Sequence, residues 1–196
     1  KDSSEVSVSD LTAEDITNLK LIPEGYIFFD GIRGDLNKDS IDDFITIIKG
    51  TDPQNIVENS FGEMVDRNRR GIVIALSQGN GYKKVVDNRD CFSSENEDGG
   101  VYFAPELLFE IKRNVLYIRY AHGRYGHWMY LFRYQNNAFE LIGFESHSNY
   151  GPIPSSIVSI NYSTGKKKTA TNLNADERDD SLPEKWEEAW EDIENN

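Results

Sequence analysis

Apolar residues in this chain come mostly in short runs separated by polar turns, the spacing of strands rather than of helices. Residues 26–30, "YIFFD", predict one strand, and 42–50, "DDFITIIKG", a second. Two more runs flank Gln78-Gly79-Asn80-Gly81 in "GIVIALSQGNGYKKVVDN", which carries the turn chemistry of a β-hairpin. The stretch between these pairs reads as a connection with a helical turn. A polar segment at 89–101, "RDCFSSENEDGGV", is the best boundary. Beyond it "ELLFEIK", "VLYIRYAH", "HWMYLFRY" and "FELIGFES" follow one another across short turns. A last pair, "SIVSINYS" and "KKKTATN", is joined through Thr164-Gly165.

Only the two ends read as helix. Thr12 and Asp15 resemble a capping arrangement ahead of Ile16 and Leu19, closed by Pro23 and Gly25. Ser181 and Glu184 form a capping box, and Trp186, Trp190 and Ile193 fall at helical spacing behind it. The expected fold is therefore mainly β. It has two four-stranded antiparallel meanders, propeller-blade-like or sandwich-like, with short N- and C-terminal helices. The expected divisions are an N-terminal segment at 1–24, a first β unit at 25–90, a second at 100–172 and an acidic tail at 173–196, together one compact unit.

Charge narrows the partners. The net charge is -13, so nucleic acid phosphates should be repelled. Ten acidic residues against Arg178 and Lys185 lie between Asp176 and Glu194. No apolar run approaches the length of a transmembrane helix. Cys91 is the single cysteine, so no intrachain disulfide forms. The opening "KDSSEVSVSD" reads as the polar start of a mature chain after removal of an export signal.

The acidic stretch "GDLNKDSIDD" (34–43) is the strongest chemical signal. With Asp35 at position 1, Asn37, Asp39, Ile41 and Asp43 fall at positions 3, 5, 7 and 9. Those are the side-chain, carbonyl and side-chain oxygen positions of a hard-cation loop. Thr46 stands where an EF-hand has its glutamate, and strand follows rather than helix. The stretch resembles the strand–loop–strand calcium sites of FG-GAP (integrin α-like) propeller blades and VCBS-type repeats, over residues 26 to about 88. The resemblance implies Ca²⁺ held by Asp35, Asn37, Asp39 and Asp43 with the Ile41 carbonyl. Ser40 replaces the usual turn glycine, and a left-handed serine costs about 1 kcal/mol. Calcium at such a loop is a structural staple. With a dissociation constant of ~0.1–1 mM, ~1 mM Ca²⁺ adds about 0.4–1.4 kcal/mol. Arg33-Gly34-Asp35 spells an integrin-binding tripeptide, but a ligating Asp35 turns inward.

A second candidate is "YAHGRYGHWMYLFRY". If residues 123–126 turn, His122 faces His127 across two strands, and zinc then needs His147 as a third ligand. No spacing fixes that third ligand. Tyr120, His122, Arg124, Tyr125, His127 and Trp128 are the expected ligand-binding residues, with aromatics to stack on sugar rings or a peptide and arginines to meet an anion. No nucleophile elbow, P-loop or dinucleotide fingerprint is present. "GDLNKDSIDDF" and "YAHGRYGHWMYLFRYQNNAFELIGFE" also resemble an uncharacterised family of extracytoplasmic proteins of Gram-negative bacteria, over roughly residues 25–170. That implies a periplasmic or surface protein, lipid-anchored at its start. The expected function is a calcium-stabilised, non-catalytic binding or adhesion-type module for a glycan or protein. The alternative is a hydrolase of envelope polymers using His122 and His127.

Overall fold

A computed structural model describes residues 20–79, 81–97, 104–176 and 181–193. The chain divides between Ala104 and Pro105 into two compact units. Among the described residues there is no α-helix, and none is long and apolar enough to cross a membrane. The expected N-terminal helix falls mainly in residues 1–19, outside those described.

The first unit is built on a four-stranded antiparallel sheet. Its strands are β1 (Tyr26–Gly34), β2 (Asp43–Gly50), β5 (Arg70–Gln78) and β6 (Gly81–Phe92), in the order β1-β2-β5-β6. The two apolar runs take the middle positions, and nearly every residue of β2 and β5 is buried. That is why these strands read as continuous hydrophobic sequence rather than as an alternation. On one face Phe44, Ile48, Val73 and Ala75 pack with Leu21 and Tyr26. Ile45 and Ile47 pair with Ile74 and Ile72 on the other. The connection after β2 is a single 3-10 turn at Pro53–Asn55 and a small hairpin of β3 (Ile56–Glu58) and β4 (Met64–Asp66). Asn68 ties this connection down, accepting from the Asp52 N–H and the Asn55 amide and donating to the Asp66 carboxylate. Gly71 sits at the irregularity between Arg70 and Ile72, where a Cβ would lie 2.4 Å from the Asn88 carbonyl oxygen.

The second unit is one antiparallel sheet of seven strands, not the expected four. They run in chain order from β7 (Glu106–Lys112) and β8 (Val115–Ala121) through β9 (Gly126–Gln135), β10 (Ala138–Tyr150), β11 (Ile153–Asn161) and β12 (Lys166–Asn172) to β13 (Trp186–Asp192). The hairpin turns at Arg113-Asn114 and Asn136-Asn137 use left-handed residues, as two-residue turns between twisted strands require.

The expected C-terminal helix is instead β13. Residues 186–192 pair antiparallel with all of β12. The reason is charge. Lys166, Lys167 and Lys168 on β12 make ion pairs with Asp192, Glu191 and Glu188. A helix would gather those carboxylates, at i, i+3 and i+4, on one face with a rise of about 1.5 Å per residue, out of step with lysines spaced at about 3.3 Å along a strand. A strand lays them along the basic neighbour, and Lys168 also sits 5.7 Å over the Trp190 ring.

Candidate functional site

The acidic loop joins β1 to β2, and its ends are held by the register pair Gly34 and Asp43. Lys38 and Ser40 both adopt left-handed backbone, at φ 69° and 66°. Position 6 thus has the sharp turn expected there, with serine bearing the strain. Asp35 accepts from the Lys38 N–H at 2.6 Å and the Ser40 N–H at 3.2 Å. Asn37 accepts from the Asp39 N–H, and Asp39 from the Ile41 N–H at 2.8 Å. These bonds fold Asp35 back into its own loop rather than outward as an adhesive tripeptide would present it.

Asp43 differs from the rest. It is fully buried at 0% exposure. One carboxylate oxygen accepts from the Leu36 N–H at 2.8 Å, the other from the Ser77 N–H on β5 at 2.9 Å. Burial pushes its pKa up. The two N–H donors oppose that rise, and the negative charges of Asp39 and Asp35 add to it. The carboxylates of positions 1 and 5 are therefore felt at position 9. Each carboxylate has about four lone-pair sites, and these bonds use only part of them. The donor set, oxygen throughout, suits a hard cation such as Ca²⁺. The three aspartate carboxylates are not gathered within 4.8 Å of one another, so an ion would draw them together.

The second candidate region divides over three places. Tyr120 and Trp128 are register partners on β8 and β9, their rings stacked at 5.2 Å and 15°. His122, Arg124 and Tyr125 belong to the 3-10 turn Gly123–Tyr125 and its cap. There Arg124 donates to the Tyr125 hydroxyl, and the His122 and Tyr125 rings lie 5.7 Å apart. His127 begins the other face of β9, since consecutive strand residues alternate. The register sets Ala121, not His122, opposite His127. The expected His122–His127 pair across the turn is not made.

His127 meets His147 instead. The two are register partners on β9 and β10, with rings stacked at 4.3 Å and 17°. Glu145, two residues along β10 and so on the same face, has an oxygen 2.9 Å from His147 Nε2. Burial pushes the His127 pKa down, and the charges of Arg119 and His147 push the same way against Glu145. Among the described residues this is the one group of three titratable donors within 4.8 Å. Burial also pushes the Cys91 thiol up to about 11, although part of the residue reaches the surface, so it is no thiolate nucleophile at neutral pH.

Sequence reading missed Glu145 because its partnership depends on register. The hairpin pairs Gln135 with Ala138, and carried on unbroken that register would put Ser146 opposite His127. An irregularity between Leu141 and Gly143 slips it by one residue, and His147 arrives instead. The Glu145-x-His147 spacing was the available signal.

Compared with protein-family models, with the curated proteins and with the solved structures, the chain matches none.

Proposed function

We propose that the chain is a calcium-ordered β module of an exported protein, a non-catalytic binder of a glycan or protein ligand. Asp43 carries this reading. A fully buried carboxylate, bonded to the loop backbone at Leu36 and the β5 backbone at Ser77 and repelled by Asp35 and Asp39, has a standing electrostatic reason to recruit a cation. The loop's ligands are Asp35, Asn37, Asp39 and Asp43 with the Ile41 carbonyl. The binding surface is the aromatic face that Tyr120 and Trp128 begin, with Arg124 and Tyr125 at its turn. A flat stacked aromatic pair on a sheet suits the face of a sugar or a peptide side chain better than it suits a catalytic cleft. The hydrolase reading draws no support from a register that sets His127 opposite Ala121. An exported location fits millimolar calcium, the range such loops need.

The test is thermal unfolding at fixed ionic strength in EGTA, CaCl₂ and MgCl₂, on the parent chain and on Asp39→Ala. The reading expects a rise specific to calcium, of a few degrees at ~1 mM, lost in the variant. Equal responses to both ions, or none, would remove calcium from the loop.

A further inference from the structure

We propose that His127, His147 and Glu145 form a binding site for a divalent transition metal, zinc above all, on the strand pair β9–β10. The donor set is chemically distinct from the acidic loop. Two imidazoles and one carboxylate suit zinc, and two histidines with a glutamate are a known three-ligand set that leaves a fourth position open. Calcium prefers six to eight oxygens and has no use for two nitrogens.

The geometry is close to what a metal needs. The three donor atoms lie within 4.8 Å of one another. Zinc bonds of about 2.0–2.2 Å place tetrahedral donors about 3.3–3.5 Å apart, so the group closes by at most about 1.5 Å. Parallel rings point their lone pairs side by side rather than at one atom. Binding therefore tilts the two imidazoles toward each other and replaces the Glu145–His147 contact with metal bonds. The side chains have room for this. His147 and Glu145 are about a third exposed, at 31% and 35%. The backbone beneath them is fixed by a ladder from Gly126↔Ser148 to Ala138↔Gln135.

The local charge is mixed. Glu145 favours a cation and Arg119, on β8, opposes one. The bound metal clamps β9 to β10 and keeps a coordination position for water or for an oxygen or nitrogen of an outside ligand.

Calorimetry with Zn²⁺ on the full chain, in saturating calcium, tests this. The parent chain should bind one Zn²⁺. His127→Gln and His147→Gln should each weaken it by roughly tenfold or more, since even outer contacts of a metal site are worth that much. Asp39→Ala should bind zinc as the parent does, which keeps this result separate from the fate of the calcium loop. Co²⁺ in place of zinc should give the visible absorption of a four-coordinate centre, lost in His147→Gln. Should either variant fail to fold, zinc-dependent shifts of the His127 and His147 ring protons in the parent chain read the same contacts. Absence of zinc binding at ~0.1 mM, binding unchanged in both histidine variants, or ring protons indifferent to zinc each overturn the proposal.

Discussion

The Asp43 carboxylate accepts a hydrogen bond from the Ser77 N–H at 2.9 Å, bridging the first residue of β2 to the end of β5 inside the core. The Ser77 hydroxyl returns the link by donating to the Asp42 carbonyl. Asp43→Ala leaves two buried N–H groups, on Leu36 and Ser77, without an acceptor. The expected cost is about 2–5 kcal/mol, read from urea unfolding in EGTA so that no ion contributes. Asp43→Asn, which keeps one acceptor, should lose less. A change near zero for the alanine variant would mean that the loop, not the core, holds these strands.

Lys49 is 5% exposed and is paired with Asp66 at 2.9 Å and with Glu95. Burial works against the Asp66 charge, but the Asn68 N–H, Lys49 and the Asn68 amide outweigh it and hold the pKa below the usual value of 3.8. Burial likewise works against the Lys49 charge, and its two carboxylates outweigh it, raising the pKa above 10.5. A lowered acid pKa adds stability above about pH 4 that is lost as pH falls through the folded value. The raised lysine pKa adds stability below about pH 10.5 that is lost as pH rises through its folded value. Stability should therefore form a plateau between those limits. In Asp66→Asn the acid limb should become shallower in a pH series of urea midpoints, and an unchanged limb would remove the pair from the account.

Thr46 is fully buried in β2, and its hydroxyl has no hydrogen-bond partner. Thr46→Val keeps the shape and removes the stranded group. It should stabilise the first sheet by ~1 kcal/mol, seen as a higher unfolding midpoint. A loss of stability would show that the hydroxyl is satisfied in solution.

Gly126 has φ 110°, and a Cβ there would fall 1.9 Å from the His147 carbonyl oxygen. No side-chain adjustment relieves a collision with backbone. Gly126→Ala should cost on the order of 3 kcal/mol or more and open β9 from β10 at the histidine end. Hydrogen exchange at residues 126–130 should accelerate. Unchanged exchange there would place the strands further apart than described.

β13 is held to β12 by exposed ion pairs, each worth about 0.2–1 kcal/mol and weakened by salt. Amides of residues 186–192 should exchange faster at high ionic strength while those of β9 do not. Equal protection in both would show that the ladder bonds alone secure the strand.

The strands of both sheets, β13 excepted, were legible because each apolar run is bounded by turn residues, as at Gln78–Gly81 and Asn136-Asn137. Two things were not. Trp186 and Trp190 stand four apart, a spacing that puts two side chains on one face in a helix and in a strand alike. Only the three lysines of a neighbouring strand decide between them, and a local reading does not see neighbours. The histidine cluster was hidden in the same way. A single-residue slip near Leu141 exchanges the faces of everything beyond it, and its one local sign is Gly143, a glycine inside a strand run of the kind that marks a bulge.

The acidic character of β13 has a consequence for growth of the sheet. Its outward rung of backbone groups is a template on which another chain could polymerise. Glu187, Glu188, Glu191 and Asp192 are all exposed along it. A second copy arriving edge to edge would bring like charge against like charge along the same stretch, with no lysine row to receive it. The strand that completes the sheet also guards its edge, and Glu187, which lies opposite Thr171 rather than a lysine, is the acid whose neutral replacement should weaken that guard while leaving the three ion pairs in place.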